Sequence, residues 1–143
     1  MINEFQRLKE EESSRQNLEW NYQRHLTKVN YHIHTDAIKE ILIPENLSKQ
    51  QISFVYANEA DVLNMALFGK TAKQWRDENP NEKGNIRDTA NIEQLVVLSN
   101  LESLNAVLIN QGIKQPNRLQ QLNEVAIAQM TSLLNHKSTK KLM

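Results

Sequence analysis

Ile92 to Gln111, IEQLVVLSNLESLNAVLINQ, is the stretch that decides the fold. Its Ile92, Leu95, Val96, Leu98, Leu101, Leu104, Val107, Leu108 and Ile109 fall on nearly every side of a helix. A helix that is apolar all round is a buried one. Asp88, Thr89 or Asn91 is placed to cap its start, and Gly112 follows its end. Pro116 stands where a first-turn proline belongs. Beyond it Leu119, Leu122, Ala126, Met130 and Leu133 recur every three or four residues, which predicts a helix over 116–135. The connection between the two is short, so they are expected to pack as an antiparallel hairpin.

Working toward the N-terminus, Thr71-Ala-Lys-Gln74 and Ser48-Lys-Gln-Gln51 are capping-box patterns. The first predicts a short helix over 72–79 that holds Trp75 and stops at Pro80. The second predicts a helix over 49–68, with Ile52, Val55, Tyr56, Ala60, Leu63 and Leu67 on one face and Gly69 just past its end. Residues 81–88 read as a polar turn around Gly84. Ala37, Ile38, Ile41 and Leu42 fit either a new helix capped by Thr35 or Asp36, or a first helix that runs on with a bend; Pro44 ends it in both cases.

That first helix is expected over 3–33. It is polar after Phe5 and Leu8, then carries Leu18, Tyr22, Leu26 (or His25), Val29 and Ile33 at helical spacing. About 30 residues of helix measure roughly 45 Å, more than a domain of this size usually covers. The polar half is therefore expected to project, to join something else, or to pair with a second copy.

Three Gly and three Pro in 143 residues leave too few turns for a β fold. The expectation is an all-α protein: a connector helix over 1–33, a domain of four to five helices over 34–136, and a basic flexible tail over 137–143. The 17 Lys and Arg balance 17 Asp and Glu, so any grip on nucleic acid must be a local patch. There is no cysteine, which excludes disulfides, thiolate zinc sites and thiol nucleophiles. No apolar run reaches the ~18–20 residues of a membrane span, and the first twenty residues hold no signal-peptide core. A cytoplasmic protein without a membrane partner is expected.

Lys70, Lys73 and Arg76 are spaced by three at a predicted helix start, and Lys83 and Arg87 extend the cluster. Backbone N–H groups there favour an anion, and a phosphate backbone would suit. Asp77 and Glu78 offset part of the charge, so a plain solvated face is the competing interpretation. Gly69-Lys70-Thr71 is not a phosphate-binding loop, because position 64 is Asn64 rather than the required glycine. His32 and His34 diverge on a helix, which favours a helix-end hydrogen bond over a metal. Glu59, Asp61, Asp77 and Glu78 read as helix-surface carboxylates, and no nucleophile context is recognisable. No enzyme activity, metal or cofactor is expected. Trp75 beside Arg76 reads as core rather than as a base-stacking ring. Leu18, Tyr22, Leu26 and Val29 are the candidate partner-helix residues.

The stretches Ile33-His-Thr-Asp-Ala-Ile-Lys39, Tyr56-Ala-Asn-Glu-Ala-Asp61, Met65 to Arg76, Gly84-Asn-Ile-Arg-Asp88, Leu95 to Glu102 and Arg118-Leu-Gln-Gln-Leu-Asn-Glu124 resemble the C-terminal region of KilA-N domain proteins of phages and mobile elements. Glu4-Phe-Gln-Arg-Leu-Lys-Glu10 is similar to the segment that follows the KilA-N module in that family. The resemblance spans nearly the whole chain but not the module itself, the family's presumed DNA-binding part. It implies a phage-derived binding protein acting on nucleic acid or on a host nucleic-acid-handling complex. The alternatives are an anti-CRISPR-type inhibitor of an RNA-guided nuclease, acting by protein or guide-RNA contact, and an oligomerisation module that forms a homodimer through the N-terminal helix.

Overall fold

Short polar side chains set the helix starts in this chain. Asn3 accepts from the Gln6 N–H at 2.8 Å. Ser48 with Gln51, Thr71 with Gln74, and Asn91 with Gln94 each close a reciprocal capping box. The computed structural model describes the backbone of residues 3–142, and the side chains there except those of Gln16, Glu19, Trp20 and 137–142. The side chains of the expected basic tail thus lie outside the described residues. The elements are α1 (Glu4–Ala37), a π-helical turn (Ile38–Leu42), α2 (Lys49–Phe68), α3 (Ala72–Glu78), a 3-10 turn (Ile86–Thr89), α4 (Ile92–Asn110) and α5 (Gln115–Leu142). The described residues contain no strand, and the fold is all-α.

Of the two alternatives around Pro44, the continuous helix is the one adopted. α1 runs past residue 33 into the π turn, and Thr35 donates to the His32 carbonyl at 3.1 Å instead of capping a new start. The wider turn rotates Ile38 inward beside Ala37, against Ala106 and Ile109 of α4. The expected connector boundary at 33 therefore falls inside one helix. At the other end, α5 carries helix over 137–142, the stretch read as a tail.

Cross-helix hydrogen bonds give the directions. Asn30 meets Ser99 and His34 meets Asn105, so α1 and α4 run parallel. Asn105 meets Arg118 and Asn100 meets Gln129, so α4 and α5 form the expected antiparallel hairpin. Glu59 meets Arg118 and Ala66 meets Asn123, so α2 runs with α5. The core is Val62, Leu63 and Ala66 of α2, Val97, Leu98, Leu101 and Leu108 of α4, and Leu122 and Ala126 of α5. Among the described residues α4 alone has the length and composition to cross a membrane, and 50% of that stretch is buried within this fold.

The pairing of Asn30 with Ser99 sets α4's first residue, Ile92, beside Gln23 of α1. Among the described side chains of residues 4–22, all are exposed. Over the docked part, α1 turns its polar side inward: Gln23, Thr27, Asn30 and His34 approach α4 and its flanking turn, while Leu26, Val29 and Ile33 face outward.

Candidate functional site

The predicted basic cluster is only partly assembled as a surface. Lys70 Nζ lies 2.6 Å from Glu78 Oε2. Arg87 is turned inward, its Nη1 3.2 Å from Glu102 Oε1 and its Nε 3.4 Å from Asn64 Oδ1. Asn85 draws it there by capping the 3-10 turn, where its side chain accepts from the Arg87 N–H at 2.9 Å. Arg87, expected as an outward contact residue, is thus half-buried and paired with Glu102 of α4. Lys73, Arg76 and Lys83 are exposed, with Asp77, Glu78 and Glu82 exposed among them. Trp75 is buried, as its helical context predicts. An indole held in the core does not offer a face for base stacking.

Two carboxylates read as surface groups are not. Asp61 Oδ1 accepts from the Ala72 N–H at 2.9 Å and from Asn64 at 3.0 Å, tying α2 to the start of α3. Glu59 is buried at 3% exposure, in a doubly bonded ion pair with Arg118: Nη1 to Oε2 at 2.6 Å and Nη2 to Oε1 at 2.8 Å. Gln115 donates to Glu59 Oε1 at 3.0 Å, and Arg118 Nε donates to the Ile113 carbonyl at 2.9 Å. Asn105 accepts from Arg118 at 3.0 Å and donates to His34 Nε2 at 2.8 Å. One polar chain thus joins all four long helices. Burial works to push the Glu59 carboxyl up, but the hydrogen bonds and charge of Arg118, with Gln115 and Asn105, hold it below the usual carboxylate range. Burial pulls His34 down to about 4, with Arg87 and Arg118 adding to the effect and Glu59 opposing it. The imidazole is therefore neutral at pH 7 and accepts through Nε2.

A clue to this network sits in helical register. Glu59 continues the row Ile52, Val55 and Val62, and Arg118 stands four before Leu122 and eight before Ala126. A charged residue on an apolar stripe is a buried ion-pair candidate, whereas its partner on another helix has no sequence signature. Glu102 occupies the same kind of position on α4. It is fully buried, its Oε2 lacks a hydrogen-bond partner, and burial pushes its carboxyl up to about 7 against the opposing charge of Arg87.

Two clefts open beside this network. One of about 400 Å³, among Ile41, Leu42, Val55, Ile113 and Lys114, has Glu59 and Arg118 in its wall. The other, of about 380 Å³, lies between Arg24 and Thr27 of α1 and Arg87, Asp88, Ala90 and Leu95. His32 is exposed and His34 is buried, so the pair shares no site. Among the described residues no group of His, Asp and Glu is arranged to hold a metal ion.

The predicted partner-helix residues are all on the surface of α1: Leu18 at 68% exposure, Tyr22 at 64%, Val29 at 43% and Leu26 at 36%, with Ile33 continuing the row. Their spacings of three and four put them side by side along the helix. Phe5 and Leu8 are exposed farther out on the same helix. No family model, curated protein or solved structure matches this chain.

Proposed function

We propose that this chain is a non-enzymatic binding protein that docks a nucleic-acid-handling protein partner through the outward row of α1. The inverted amphipathicity of that helix carries the proposal. Leu18, Tyr22, Leu26, Val29 and Ile33 stand in water while Asn30 and His34 take the interior positions. Scattered exposed apolar residues are ordinary, but a contiguous patch marks an interaction surface. The class of partner follows from the resemblance of Met65 to Arg76 and the other quoted stretches to KilA-N proteins. A second reading, direct contact with a phosphate backbone, is favoured by the exposed Lys73, Arg76 and Lys83.

The two surfaces are far enough apart in sequence to be tested separately. In nuclease-treated lysate the chain is expected to retain a nucleic-acid-handling protein. Tyr22→Asp with Val29→Asp should abolish retention, and Lys73→Glu with Arg76→Glu should not. Retention that instead vanishes with nuclease and with the α3 charge reversals supports the second reading. Retention indifferent to both pairs of substitutions rejects both surfaces.

A further inference from the structure

We propose that the cleft of about 380 Å³ between α1 and the 3-10 turn binds a small phosphomonoester, with its phosphate between Arg24 and Arg87 and the group it carries along Ala90 and Leu95. This site uses neither the outward row of α1 nor the exposed cations of α3. Arg24 and Thr27 supply one wall, and Arg87, Asp88, Ala90 and Leu95 supply the other. The volume lies within the roughly 300–1,000 Å³ of small-molecule sites. A phosphate ion alone would leave much of it empty.

Charge selects the ligand. Arg87 is held from behind by two bonds, Nη1 to Glu102 Oε1 at 3.2 Å and Nε to Asn64 Oδ1 at 3.4 Å, both long for a guanidinium. Its Nη2 has no hydrogen-bond partner among the described residues, so two N–H donors remain on a side chain that lines the cleft. Burial lifts the carboxyl of Glu102 to about 7, so near neutral pH it cancels only part of the Arg87 charge. Asp88 is the one carboxylate in the wall, and its Oδ2 accepts from the Asn85 N–H at 2.8 Å. Two guanidiniums against that single engaged carboxylate leave the cleft positive. A planar carboxylate pairs edge-on with one guanidinium, whereas a phosphate presents oxygens in several directions and can be shared by two. A monoester brings up to two negative charges and one substituent, which matches a cleft with a single apolar wall. A diester brings one charge and a chain on both sides. Thr27 Oγ1 donates to the Gln23 carbonyl at 2.9 Å, which leaves its oxygen to accept from a ligand hydroxyl.

The probe is adenosine 5′-monophosphate, titrated into the full chain by calorimetry at about pH 8 and low salt, with inorganic phosphate and adenosine alongside. The monophosphate should bind with a dissociation constant of about 1 mM or tighter, phosphate more weakly, and adenosine not measurably. The amide resonances of Thr27, Ala90 and Leu95 should shift as it binds. Arg24→Glu, at an exposed position, should weaken binding by more than about tenfold with helicity retained. Glu102→Gln removes the charge that competes for Arg87 and should tighten binding severalfold, which a merely structural Arg87 would not produce. Failure of both phosphate and the monophosphate to bind overturns the site. So does unchanged affinity in Arg24→Glu, or binding lost instead on Lys73→Glu with Arg76→Glu. Adenosine that binds as well as the monophosphate overturns recognition of the phosphate. Phosphate that binds as tightly as the monophosphate overturns the role of Ala90 and Leu95.

Discussion

Replacing Glu102 by Gln should stabilise the protein by an amount that grows with pH, in a direction fixed by the carboxyl's surroundings. Glu102 lies at 0% exposure, with one oxygen 3.2 Å from Arg87 and the other without a hydrogen-bond partner. Desolvation raises the carboxyl from 4.5 to about 7, and Arg87 offsets only part of that. The folded chain therefore keeps a proton between pH 4.5 and 7 that the unfolded chain releases. Stability is lost as pH rises through this window, and the loss is complete above 7. A shift from 4.5 to about 7 corresponds to about 3 kcal/mol at 1.36 kcal/mol per pH unit. His34 works in the opposite sense: held at about 4, it costs stability as pH falls from 6.5 toward 4. Glu59, Arg118 and Arg87 are the other charged groups around these two side chains. The two trends overlap between pH 4.5 and 6.5, so unmodified protein alone will not separate them. The assay is urea unfolding of both proteins at half-unit steps from pH 4.5 to 8.5. The Glu102→Gln protein should gain about 3 kcal/mol relative to the unmodified chain across that range. A stability difference that does not change with pH would refute a buried, proton-holding Glu102.

Further outcomes follow from the same structure. Glu59→Ala leaves Arg118 buried without its carboxylate and should cost about 3–5 kcal/mol by chemical denaturation, whereas Glu59→Met with Arg118→Met should be close to neutral or stabilising. Ser48→Ala and Thr71→Ala each remove one capping box and should cost about 1 kcal/mol, additively because the caps are separate; a double mutant far from the sum contradicts that independence. Gly84 has φ +91°, and a Cβ there would run into Asp88 Oδ2, the acceptor that caps the 3-10 turn. Gly84→Ala should lower the melting temperature by several degrees, given about 1–2 kcal/mol of strain and lost capping.

Most of the fold was legible because it is written in local chemistry. Ser48 with Gln51 and Thr71 with Gln74 mark helix starts by hydrogen bonds only three residues apart. Gly69 and Gly112 mark helix ends by adopting positive φ. The all-round apolar run of α4 announced a central helix, and the short 111–114 connection announced its hairpin with α5. The π turn was one of two open alternatives, because a choice between a new cap at Thr35 and a continued helix depends on what Ile38 packs against.

The sites were less legible. Lys70 and Arg87 looked alike as members of a surface patch, but Lys70 pairs with nearby Glu78 at the surface, whereas Arg87 turns to Glu102, which is buried on α4. Glu59 looked like a surface carboxylate because nothing near it in sequence shows Arg118 arriving from another helix.

The sequence by itself determined where the capped helices begin, where α2 and α4 stop at Gly69 and Gly112, and which helix must be buried, since caps, glycines and periodicity act over three or four residues. Only the tertiary structure decided which side of α1 faces inward. Its polar residues fit there because Ser99, Asn105 and the Glu59–Arg118 pair on other helices satisfy them. That long-range hydrogen bonding leaves the apolar row in water.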